Sequence, residues 1–132
     1  MRSTDAGVSS RLTPEGLLSL LEDRTSAFLI EGRIDLGDVI VAIRREQMKE
    51  FFTLVKTDPD FRFNMLSSVT AVDWMDARSD RFELVYHLFS IEHSRHLRVK
   101  IPVPERNAEV ESLTSLWASA NFLEREVWDM YG

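Results

Sequence analysis

Phe82-Glu83-Leu84-Val85-Tyr86-His87-Leu88-Phe89, a polar link at Glu92-His93-Ser94, and His96-Leu97-Arg98-Val99-Lys100-Ile101-Pro102-Val103 decide the fold of this chain. In the second run Leu97, Val99, Ile101 and Val103 point one way, and His96, Arg98 and Lys100 point the other. That period of two belongs to a strand with one buried face. The link is short enough to make the runs an antiparallel hairpin. Pro102, which cannot donate to a ladder, marks an edge position or a strand end.

Upstream, a further strand falls within Phe63–Trp74, and Met75–Asp80 reads as a polar turn. The clearest helix runs from Arg44 to Lys56, with Met48, Phe51, Phe52 and Val55 at helical spacing. An aromatic stripe of this kind can hold a cofactor, but it is also the cover that a sheet requires. Asp58-Pro59-Asp60 ends the helix. Val39-Ile40-Val41-Ala42-Ile43 is an unbroken, mostly β-branched run, expected as a strand covered on both faces. Ala27–Arg33 is a weaker strand, with Ile34-Asp35-Leu36-Gly37-Asp38 as its turn. Thr13-Pro14 opens a first helix whose apolar face is Leu17, Leu18, Leu20 and Leu21. Residues 1–12 are small and polar, and are expected to form a flexible tail.

Downstream, Pro104 breaks the chain, and Ala108–Trp117 is expected as an amphipathic helix using Val110, Leu113 and Leu116. The final stretch, Asn121 to Gly132, has helix signals at both ends. Asn121 can cap, Glu124 three residues on completes a capping-box pattern, and Gly132 suits a helix stop. Leu123, Val127, Met130 and Tyr131 form the inner stripe, and Arg125 and Asp129 can pair four residues apart. The predicted order is α-β-β-α-β-β-β-α-α. Strands joined by tight turns make this a mostly antiparallel sheet packed against helices, an α+β domain over residues 13–132.

At 132 residues the chain holds one core, and 44% hydrophobic with 29% charged residues is the composition of a globular protein. A net charge of −6 argues against nucleic-acid binding. No apolar run reaches the ~20 residues of a membrane span. With no cysteine there is no disulfide, no thiolate nucleophile and no ordinary iron–sulfur ligand. The five glycines are scattered and make no phosphate loop. His87, His93 and His96 invite a metal hypothesis. A register placing His87 opposite about Val99, and His96 opposite about Ser90, would keep their rings apart. The carboxylates near the C-terminus lack the contrasting environments that separate a catalytic pair. From Glu105 onward six acids face two bases, whereas Arg95–Lys100 is basic, a polarity that suits docking between partners.

Glu124-Arg125-Glu126-Val127-Trp128-Asp129-Met130-Tyr131-Gly132 resembles the signature of the 30 kDa subunit of respiratory NADH:quinone oxidoreductase, complex I. The likeness continues upstream through Ser119-Ala120-Asn121, the hairpin, and Ser68-Val69-Thr70-Ala71-Val72-Asp73-Trp74, over about two-thirds of the chain. In the family the signature runs on into a His- and Arg-containing tail, whereas this sequence stops at Gly132, as expected either of a cut chain or of a short relative. The resemblance implies a non-catalytic structural subunit of the peripheral arm, on the cytoplasmic side and tied to the membrane only through its complex. Its implied partners are the large subunit that forms the quinone site and the cluster-bearing subunits. NADH, FMN, iron–sulfur clusters and quinone would belong to those partners, with no cofactor, metal or catalytic residue on this chain. The implied partner-binding residues are Glu124, Arg125, Glu126, Trp128, Asp129 and Tyr131. Two alternatives stay open: the equivalent small subunit of a membrane-bound [NiFe] hydrogenase or other complex I-like dehydrogenase, and a free-standing small enzyme.

Overall fold

A computed structural model describes residues 13–73, 82–104, 110 and 112–131, without the side chains of the last four. The predicted tail at 1–12, the polar turn after Asp73, and Gly132 lie outside the described residues. The elements are α1 (Pro14–Arg24), β1 (Leu29–Asp35), β2 (Asp38–Ile43), α2 (Met48–Thr57), β3 (Met65–Asp73), β4 (Phe82–Ser90), β5 (Arg95–Val103) and α3 (Ala120–Tyr131). This is the α+β architecture expected.

The five strands form one sheet in the order β1-β2-β5-β4-β3. Every neighbouring pair is antiparallel except β2 with β5, which run parallel through the long crossover between them. β5 is therefore central, and Pro102 sits near its end rather than on an edge strand. β2 pairing stops at Lys100, so a missing N–H at Pro102 costs no ladder bond on that side.

Alternation along β4 and β5 sends Phe82, Leu84, Tyr86 and Leu88 to the same face as Leu97, Val99, Ile101 and Val103. The helices cover that face. α1 contributes Leu17 and Leu21, and α2 contributes Met48, Phe51, Phe52 and Val55, all joined to these strand residues in one core. Phe52 is its centre, with ring centroids 5.1 Å from Tyr86, 5.6 Å from Phe51 and 5.8 Å from Trp117. α1 begins as its sequence specifies, with Thr13 Oγ1 accepting from the Gly16 amide at 3.0 Å beside Pro14. Arg45–Gln47 forms a 3-10 turn, so the α-helix proper starts at Met48, later than the periodicity suggested.

The described residues among 108–117 are not helical. Ser112–Trp117 is a turn in which the amides of Leu116 and Trp117 both donate to the Leu113 carbonyl, each at 2.9 Å. Ser112 Oγ accepts from the Thr114 amide at 3.2 Å, the local bonding by which serine competes with helix formation. Of the expected stripe, Leu113 is buried and Val110 and Leu116 are half-buried against the core, while Trp117, outside the stripe, is buried as well. The apolar residues do face the core, but the element is a turn.

Candidate functional site: the terminal helix and its mounting

α3 lies along β3 and is mounted on the body at two places. Ser119 Oγ, just before the helix, donates to the Leu66 carbonyl at 3.0 Å. The preceding turn is held by Trp117 in the core and by Lys56, whose ammonium donates to the Leu116 carbonyl and stands 5.9 Å from the Trp117 ring centre.

Glu124 supplies the second mounting. Its carboxylate accepts from Ser112 Oγ and from the Leu113 amide, both at 2.8 Å. The expected capping box with Asn121 is not formed. α3 begins at Ala120, two residues before the start that an Asn121 cap implies, which puts Asn121 inside the first turn and leaves Glu124 reaching toward the turn below. Beneath it a cavity of about 10 Å³ is lined by Val69, Leu84, Tyr86, Val110, Glu124 and Val127. The Tyr86 hydroxyl is buried with no hydrogen-bond partner among the described residues. Burial, and secondarily the Glu124 charge, push its pKa well above the ordinary tyrosine range.

The predicted site residues thus divide. Glu124 turns inward, whereas Arg125 and Glu126 are exposed. Val127 is buried and Leu123 half-buried, as the stripe required. Trp128, Asp129, Met130 and Tyr131 are helical, but their side chains, and so the Arg125–Asp129 pair, lie outside the described residues. Phe122, absent from the predicted set, is 64% exposed on this helix. The signal for it was in the sequence: a large aromatic off the inner stripe.

The histidine register also needs correction. Ser90 pairs with Arg95, which leaves a four-residue turn, Ile91–Ser94, one longer than the expected link. His87 therefore faces Arg98, and His96 faces Phe89, bringing both imidazoles to the face opposite the helices. A slip of one residue is enough to change which side chains meet. Burial, and then Arg98, lower the His87 pKa, His96 adding to the effect and Asp38 opposing it. His93 lies elsewhere, its Nε2 2.9 Å from the Pro59 carbonyl. Among the described residues no three His, Asp or Glu side chains converge as a metal set.

A profile of the family described as the 30 kDa subunit of respiratory-chain NADH dehydrogenase matches residues 41–132, from β2 through the whole of α3. The chain belongs to this family. It is 38% identical over 112 residues to the C subunit of the NADH-quinone oxidoreductase of Trichlorobacter lovleyi, covering 85% of this chain and 68% of that one. The same subunit from a Roseiflexus species is 42% identical over 96 residues, which is 73% of this chain and 55% of the relative. Among solved structures, a trypsin-resistant fragment of Nqo5 superposes with a TM-score of 0.75 at 34% identity, covering 88% of this chain and 92% of the fragment. A chain of an archaeal membrane-bound sulfane sulfur reductase shares the fold, with a TM-score of 0.74 at 24% identity over 89% of this chain and 67% of that one. No described helix of this family member is long and apolar enough to cross a membrane.

Proposed function

We propose that the chain is a non-catalytic structural subunit of the peripheral arm of an NADH-quinone oxidoreductase, docking through α3 on the large subunit that forms the quinone site. The observation that carries this reading is the division of labour on α3. Glu124 is engaged within the chain by Ser112 and Leu113, while Phe122, Arg125 and Glu126 present an aromatic ring and both charges to solvent. An exposed aromatic beside charged groups is the composition of an interface anchor with a polar rim. NADH, FMN, iron–sulfur clusters and quinone would be held by the neighbouring subunits. The chain would meet the membrane, on its cytoplasmic side, only through them.

Glu126→Ala tests this reading. The isolated chain should keep its melting temperature, because an exposed charge contributes little to folding. Assembly with the other subunits should weaken by about 2–5 kcal/mol, because the partner's group is left desolvated and unpaired. Unchanged assembly would sink the docking claim. A visible flavin or iron–sulfur spectrum in the purified chain would count against its non-catalytic part.

A further inference from the structure

Apart from α3, the described residues include one end of the sheet where exposed apolar surface, backbone strain and under-used hydrogen-bond donors occur together. This is the end where β1 turns into β2. The turn is the two residues Leu36 and Gly37, closed by the Asp35–Asp38 pair. Both have positive φ, 52° at Leu36 and 86° at Gly37. Such a turn calls for asparagine, aspartate or glycine at its first position, because a Cβ is strained there. Leucine occupies it, and its side chain is 98% exposed. Neither the backbone nor any contact among the described residues favours that choice.

Two residues on, Asp38 borders a recess of about 190 Å³ on the face of the sheet opposite the described helices, lined also by His87, Leu88, His96, Leu97 and Arg98. Ile40 pairs with Arg98, so the turn and the recess share strand β2. Arg98 has five N–H donors. Among the described residues its polar contact is Nη2 to Asp38 Oδ2 at 3.5 Å, and its buried Nε has no hydrogen-bond partner. A neutral imidazole brings one donor and one acceptor, so His87 and His96 leave the balance to Arg98, and Asp38 is the only carboxylate among the described residues lining the recess. Donors therefore exceed acceptors, and the complement is a carboxylate, which a guanidinium binds by two parallel bonds. The recess is smaller than the ~300–1,000 Å³ of ordinary small-molecule pockets. It fits one side chain better than a free metabolite.

We propose that this end of the sheet is a second docking surface, occupied by a segment of a neighbouring subunit that offers an acidic side chain to Arg98 and an apolar cleft to Leu36. The surface is distinct from α3, and the inference rests on the reading of the chain as a subunit of a larger complex. Leu36 acts as the apolar plug, its exposure and strain in the free chain being the cost of keeping it ready. Arg98 sets the register by taking the carboxylate.

The test is co-assembly of the full chain with the other subunits of the oxidoreductase, measured for the unaltered chain, Leu36→Asn, Arg98→Glu and Arg98→Gln, beside melting curves of each free chain. Leu36→Asn is expected to raise the melting temperature of the free chain while weakening assembly at least ten-fold. Arg98→Glu is expected to weaken assembly at least ten-fold with little change in melting. If Arg98→Glu disturbs the fold, Arg98→Gln supplies the measurement, with a smaller loss in the same direction. Assembly of the Leu36 or the Arg98 variants within two-fold of the unaltered chain overturns the proposal and leaves the α3 reading standing. Failure of the unaltered chain to assemble overturns both.

Discussion

On the helix-covered face of the sheet, side chains from β4 and β5 meet Leu17, Leu21, Phe51, Phe52 and Val55 in one continuous core. On the other face Ile40 and Val85 are as well buried, yet they stand outside that core, among His87, His96, Arg98 and Lys100. Both faces come from the same strands and the same alternation. On the first, burial is deepest because helices bring apolar atoms to most inward side chains, leaving only peripheral ones such as Phe82 half-buried. On the second, apolar residues lie between long charged ones whose stems can shield them. Stability should therefore reside on the first face, while the second is freer to carry recognition.

Phe52→Ala should show the largest effect. It removes a fully buried ring with three aromatic neighbours, a loss of about 3–5 kcal/mol readable by denaturant unfolding. A loss under about 1 kcal/mol would mean that the covered face is not the seat of stability. Next is Glu124→Ala, expected to cost about 1–3 kcal/mol because the Leu113 amide loses its acceptor in a part-buried turn. Equal melting of mutant and unaltered chain would mean that the mounting of α3 does not depend on this carboxylate.

Leu36→Asn should act in the opposite direction, stabilising the free chain by up to ~1 kcal/mol as the left-handed strain is relieved. A destabilisation would mean that Leu36 has a packing role within the chain. Smallest is a pH effect on the face opposite the described helices. His87 has its folded pKa lowered below the ordinary 6.5, chiefly by burial, so the unfolded chain binds more protons between the two values. Stability is then full above about 6.5 and declines as pH falls through that window toward the folded pKa. Replacing His87 with Gln should flatten this part of the stability profile, and an unchanged slope would assign it to another group.

Much of the architecture was legible because period and punctuation are local properties. The alternation of Leu97, Val99, Ile101 and Val103 named the buried face of β5, and all four are buried. The stripe Met48, Phe51, Phe52 and Val55 named the inner face of α2, and Thr13-Pro14 named the start of α1. Ser112–Trp117 was misread because Val110, Leu113 and Leu116 stand three apart whether the chain makes a turn or a helix, and the local bonding of Ser112 favours the turn. The register of β4 and β5 was missed by one residue, since the turn length depends on what anchors it. Here the Ile91 amide bonds the Asn64 side chain and the His93 amide bonds Ser90, so one of the anchors comes from a distant part of the chain.

By itself the sequence determined the α+β class, the strands, the inner faces of α1 and α2, the inward setting of Leu123 and Val127 on α3, and the family signature, all of which rest on residue type and spacing. Only the tertiary structure decided that β5 is central and parallel to β2. Strand order depends on which apolar edges meet after collapse, and no local spacing encodes it. The structure also decided what Glu124 holds. Its spacing from Asn121 assigned it to the fold as a capping partner, but the group it engages is the Leu113 amide, eleven residues away along the chain and 2.8 Å from the Glu124 carboxylate in space.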